Sequence, residues 1–145
     1  IAFSYVDYRL YNIEEAETKG VDINMTTQFN EWDLKLNATI QDPQNLTSNS
    51  QLLRRPKNSY GMTMRRNIGA VTVNLNIRRD STRYDFGGLK LEAYTLMNAS
   101  LRWQINQQLM INASFSNALD EDYVLANGYN TPKRKVFLGF NYMMN

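Results

Sequence analysis

The stretch NALDEDYVLANGYNTPKRKVFLGFNYMMN, residues 117–145, decides how the chain reads. Near its end Val136, Leu138, Phe140, Tyr142 and Met144 take alternate positions, and Phe137, Gly139, Asn141 and Met143 fill the gaps. A period of two puts the first set on one face of an extended strand and the second set on the other. Ahead of this strand residues 119–133 form a polar, aromatic connection that begins where another alternating run ends.

Working outward, the same alternation recurs. Leu109, Ile111, Ala113 and Phe115 form one run, and Met97, Ala99, Leu101, Trp103 and Ile105 another. Further upstream come Val71, Val73, Leu75 and Ile77, then Tyr60, Met62 and Met64. Trp32, Leu34, Leu36, Ala38 and Ile40 precede these, and an extended run from Arg9 to Asn30 is clearest at Val21, Ile23, Met25, Thr27 and Phe29. Ile1, Phe3 and Tyr5 read as the stub of a strand, with a polar turn at Val6 to Tyr8. The expectation is an all-β antiparallel meander of about seven strands plus a stub.

Its connections alternate in length. Asn30-Glu31, Asn67–Gly69 and Asn106–Gln108 are short, whereas Gln41–Pro56, Arg83–Glu92 and Leu119–Lys133 are long. One smooth end and one elaborate end is the layout of a transmembrane β-barrel, with short periplasmic turns and long outer loops. On this reading Phe29, Trp32 and Trp103 form an aromatic girdle at the short-turn end, and Asn145 is periplasmic. A soluble sandwich or barrel shares the alternation. It has less use for an opposite face of Asn, Thr, Ser and Gln, which suits a wet lumen. No run approaches the roughly 18 apolar residues of a membrane helix, but barrel strands are only half apolar.

The inventory excludes whole classes of chemistry. There is no histidine and no cysteine, so no Ser-His or Cys-His nucleophile, no disulfide and no thiolate or imidazole metal site. No Gly-rich phosphate loop appears. The chain reads as a non-enzyme without cofactors, and a net charge of +2 gives no reason to expect nucleic acid. Asp120, Glu121 and Asp122 lack the spaced acidic ladder of a calcium loop and read as a solvated loop entry, so no metal site is expected.

Specific motifs then carry a resemblance. Tyr11-Asn12-Ile13 with Ala16-Glu17-Thr18-Lys19-Gly20-Val21-Asp22, Leu52-Leu53-Arg54-Arg55-Pro56-Lys57, and Ser81-Thr82-Arg83-Tyr84-Asp85 follow one another in order. Asn117-Ala118-Leu119-Asp120-Glu121-Asp122-Tyr123 and Gly128-Tyr129-Asn130-Thr131-Pro132-Lys133-Arg134 complete the set. Together they resemble the C-terminal barrel of TonB-dependent outer-membrane receptors, most closely the cobalamin (vitamin B12) branch. The resemblance implies an outer-membrane importer of a bulky nutrient, driven through TonB, with lipid and lipopolysaccharide around it. A ferric-siderophore or haem receptor is the alternative within the family. Such receptors have an N-terminal plug and a barrel of about twenty-two strands. Residues 1–145, which begin at Ile1, are therefore expected to be a plug-less C-terminal segment whose remaining strands lie elsewhere. A small self-closed structural barrel is the alternative outside the family.

The same resemblance implies that Arg54 and Tyr129 contact cargo, with Tyr84 and Arg55 as weaker candidates. An arginine fork suits amide oxygens and phosphate, and a tyrosine ring can pack on a flat cargo. The plainer reading gives the two arginines to loop carboxylates or lipid phosphates, and Tyr129 and Tyr84 to loop packing. The pairs Arg65-Arg66 and Arg78-Arg79 each send one arginine to either face, and Lys35 and Arg102 fall on the lumen face.

Overall fold

The computed structural model describes residues 2–4, 8–11 and 15–144. Strands β1 (Ala2–Ser4) and β2 (Arg9–Tyr11) pair as a separate two-stranded piece. Then come β3 (Ala16–Phe29), β4 (Trp32–Asn45), β5 (Ser50–Gln51), β6 (Asn58–Ile68) and β7 (Val71–Asp80). The short β8 (Arg83–Tyr84) and β9 (Lys90–Leu91) flank a single 3-10 turn, and β10 (Tyr94–Gln104), β11 (Leu109–Ser116) and β12 (Lys135–Tyr142) finish the chain. The main sheet runs β3-β4-β6-β7-β10-β11-β12, antiparallel throughout, with β5 added to β4. Seven long strands form the expected meander. Among the described residues no ladder joins β12 to β3, so the sheet is an open arc.

Two boundaries differ from the sequence reading. The run expected from Arg9 to Asn30 is divided into β2 and β3, with Asn12 and Ile13 outside the described residues, as are Ile1, Tyr5, Val6 and Asn145. The first long connection starts later than Gln41. β4 continues to Asn45, paired with β3 as far as Ala16, because Pro43 lies on the ladder and keeps its carbonyl for the Leu52 amide at 2.8 Å.

Turn chemistry explains the smooth end. Asn30 and Glu31 both have positive φ, 47° and 67°, the primed two-residue hairpin that matches strand twist. Gly69 supplies φ 55° in the next turn. In the third, Asn106 Oδ1 accepts from the amides of Gln108 (2.9 Å) and Leu109 (2.8 Å).

Register then fixes the faces. Met25, Leu36, Met62, Ile77 and Met97 share one row, and Val73, Leu101, Ala113 and Leu138 another, so one face is apolar across all seven long strands. The opposite face is a polar lattice, with Thr39 Oγ1 donating to Asp22 (2.6 Å), Asn76 Nδ2 to Thr63 (3.1 Å) and Asn74 Nδ2 to Ser100 (3.3 Å). The apolar face covers no core. Leu138 and Phe140 are 72% and 77% exposed, and among the described residues the buried apolar side chains are Pro43, Leu91 and Tyr94. A sandwich would bury this face. A membrane barrel presents it to lipid while every central strand satisfies its backbone with neighbours.

The outward arginines bracket the band. At the short-turn end Arg66 pairs with Glu31 at 2.5 Å and lies over the Trp32 ring at 5.8 Å. At the loop end Arg79 donates to Thr95 Oγ1 at 3.0 Å. Their partners Arg65 and Arg78 face the polar side, as the spacing requires.

Candidate functional site

Three long connections converge at the elaborate end: residues 46–57, 81–93 and 117–134. One carboxylate ties them together. Asp85, 1% exposed, takes Arg54 Nε on Oδ1 at 2.8 Å and the Phe86 amide on the same oxygen at 2.8 Å. Its Oδ2 accepts from the Asn127 amide at 2.7 Å. Arg54 itself sits at φ 60°, a left-handed conformation unfavourable for a residue with a Cβ. Its amide bonds the Tyr84 carbonyl at 2.8 Å and its guanidinium lies 5.3 Å from the Phe86 ring centre, which hold it there.

A second set of contacts secures the last loop. Arg83, 3% exposed, donates from Nη2 to the Val124 carbonyl at 2.9 Å and stacks 4.8 Å from the Tyr94 ring centre. Tyr94 donates to Asp80 Oδ2 at 2.6 Å and packs against Tyr123 at 5.1 Å between centroids. At the loop's base Asn117, at φ 50°, donates from Nδ2 to the carbonyls of Glu121 (2.9 Å) and Pro132 (3.2 Å) and accepts from the Glu121 amide. The Thr131 hydroxyl donates to the Tyr123 carbonyl. Asp120 and Asp122 are engaged by Arg134 and Lys133, and Glu121 by the Thr95 amide.

Beneath these loops, on the polar face, is an open pocket of about 690 Å³. Arg54, Arg55, Arg78, Arg83, Asp80 and Tyr94 line its loop side, and Asn37, Thr39 and Asn76 are among the residues on its strand side. The sequence candidates divide around it. Arg54 and Arg55 line it, though Arg54 keeps Nε on Asp85. Tyr84 faces a separate recess of about 450 Å³ with Leu53 and Phe86. Tyr129 is 73% exposed and is not among the residues lining either recess. Sequence reasoning missed Asp80, Arg83, Tyr94 and Asp85 as a group. The signal available was the spacing of Asp80, Arg83 and Asp85 within six residues at a strand end, where charges are rarely buried unless paired.

Burial alone pushes the Asp85 carboxyl up, but the Asn127 amide, the Arg54 guanidinium and the Phe86 amide together hold it below the usual carboxylate range. A depressed folded value means that the contribution is complete above the unfolded carboxylate value, near pH 4, and is lost as pH falls through the folded one. Protease cleavage within 119–134 is therefore expected to accelerate as pH falls below about 4. In Asp85→Asn the same loop should be cleaved at a rate that does not depend on this titration.

Comparison with known proteins supplies the context. The family described as TonB dependent receptor-like, beta-barrel, matches residues 1–118. The vitamin B12 transporter BtuB of Vibrio vulnificus is 26% identical over 120 residues, covering 79% of this chain and 19% of that protein. BtuB of Photobacterium profundum is 23% identical over 138 residues, covering 94% of this chain and 23% of that protein. The chain thus spans about a fifth of the length of these curated relatives. Among solved structures, the siderophore receptor PiuA from Acinetobacter baumannii superposes with a TM-score of 0.74 at 15% identity, over 88% of this chain and 22% of that one. The ferric-catecholate import receptor Fiu of E. coli K12, closed form, gives 0.72 at 18% identity, over 88% and 21%. At these identities the likeness is one of fold.

Proposed function

Because this chain belongs to the TonB-dependent receptor β-barrel family, whose barrels lie in the bacterial outer membrane, we propose that it forms wall, outer loops and part of the mouth of an importer for cobalamin. The observation that carries this reading is that relatives named as vitamin B12 transporters align along most of the chain, with Arg54 and Arg55 at the mouth of a polar, loop-capped pocket. The open edges at β3 and β12 are completed by further strands of the receptor, and residues 1–145 act as its C-terminal barrel segment. Energy reaches the cargo through a plug engaged by TonB, while lipid and lipopolysaccharide cover the apolar face. Binding and release are the whole of this segment's chemistry, and its arginines and tyrosines hold cargo without reacting with it. Ferric siderophores are the second reading, favoured by structural neighbours named as siderophore receptors.

The test is cyanocobalamin binding to the full-length protein with Arg54→Ala and Tyr129→Ala. Each substitution is expected to weaken binding about ten-fold, roughly 1.4 kcal/mol. Unchanged affinity in both variants would remove Arg54 and Tyr129 from the site. Tight binding of a ferric siderophore with none of cyanocobalamin would favour the second reading.

A further inference from the structure

The geometry points to a phosphate-binding subsite in the loop-end pocket, formed by Arg83 and Arg55 and reserved for the phosphodiester of the cargo. The inference rests on the cobalamin reading only for the source of that group. Four arginines line the pocket: Arg54, Arg55, Arg78 and Arg83. Asp85 answers Arg54 at 2.8 Å, and Asp80 answers Arg78 at 3.1 Å while also accepting from Tyr94. Among the described residues Arg55 and Arg83 have no carboxylate within ion-pair distance. Two positive charges therefore stand unmatched on one wall.

Arg83 is the more telling of the two. It is 3% exposed, yet its Nε is buried without a hydrogen-bond partner. Its Nη2 reaches a neutral carbonyl and its flat face meets the Tyr94 ring. A buried guanidinium without a counter-charge is costly, and a water can satisfy its N–H without matching its charge. An oxyanion in the pocket supplies the missing counter-charge, and the fork of an arginine fits phosphate oxygens. Arg55, exposed on the same wall, is free to close on the other side of the anion. A pocket of about 690 Å³ has room for a phosphodiester with part of the group attached to it.

The experiment uses the full-length protein in detergent and two corrinoids: cyanocobalamin, and cobinamide, which lacks the nucleotide and its phosphate. Titration calorimetry of Arg55→Gln and Arg83→Gln should give about ten-fold weaker cyanocobalamin binding, with cobinamide affinity within about two-fold of the parent. Inorganic phosphate should raise the melting temperature of the parent and not of either variant. Arg83→Gln also loses the Val124 contact, so Arg55→Gln, whose side chain makes no hydrogen bond or ion pair among the described residues, keeps the test decisive. Equal losses for both corrinoids, or no loss for either, would overturn the subsite, as would equal stabilisation of parent and variants by phosphate. If the parent binds neither corrinoid but phosphate stabilises it through Arg55, the cobalamin reading fails and the subsite stands.

Discussion

Leu75→Arg is expected to destabilise the barrel by about 2–4 kcal/mol, the penalty for a cation at the middle of the lipid-facing band. Leu75 lies on β7 between Met64 and Ala99, level with neither outward arginine, so the new charge has no interface within reach. Ile68→Arg, beside the Gly69 turn on the same face, should cost only about 0–1 kcal/mol, because its side chain can snorkel to water. Ser114→Arg, paired with Ser100 and Phe137 on the polar face, should stay within about 1 kcal/mol of the parent. Denaturant titration of the full-length protein in phospholipid vesicles measures all three. An equal penalty at Leu75 and Ile68 would contradict a bilayer around this face, since only lipid grades the penalty by depth.

Asp85→Ala should free the three outer loops from one another without touching the strands. It removes the acceptor of three hydrogen bonds, one of them to a guanidinium and two to backbone amides. Arg54 is 40% exposed and can return to water, so the loss is smaller than for a fully buried ion pair. About 3 kcal/mol of local stability is a reasonable magnitude. That corresponds to roughly 100-fold faster exchange of the Asn127 amide hydrogen. Exchange in the ladders of β7, β10 and β11 should be unchanged. Unaltered exchange at Asn127 would mean that the loop is held from its base at Asn117 and that Asp85 is dispensable.

The wall of this structure is legible in the sequence because its signal is local. Val71 to Ile77 or Val136 to Tyr142 reveal strand, face and direction from two-residue spacing alone, and an Asn-Glu or Asn-Ile-Gly break between runs reveals a tight turn. The loops are a different case. Asp85 meets Arg54 at a separation of 31 residues and Asn127 at 42, and nothing in the spacing of either partner marks the pairing. It depends on which connections the finished sheet brings to the same end. Arg54 was reachable from a family resemblance, but its commitment to Asp85 was not. Tyr129, nominated in the same way, stands apart from both recesses. The late end of β4 is not legible because Gln41 to Asn45 is polar apart from Pro43, a residue that usually marks a strand's end, and so carries no period-two contrast.

The order of strands in the sheet also bears on how such a wall can be built. Every ladder between the long strands of this segment joins neighbours in sequence, so none of these pairings waits for a distant part of the chain. Each of β3–β4, β6–β7 and β10–β11 closes across a turn of only a few residues, the least entropic form of strand pairing. Contact order stays low for an all-β protein, which favours rapid formation. The structure can therefore grow as successive hairpins, each leaving one free edge as the template for the next, and a turn that fails at Asn30 or Gly69 stalls the addition of a whole pair.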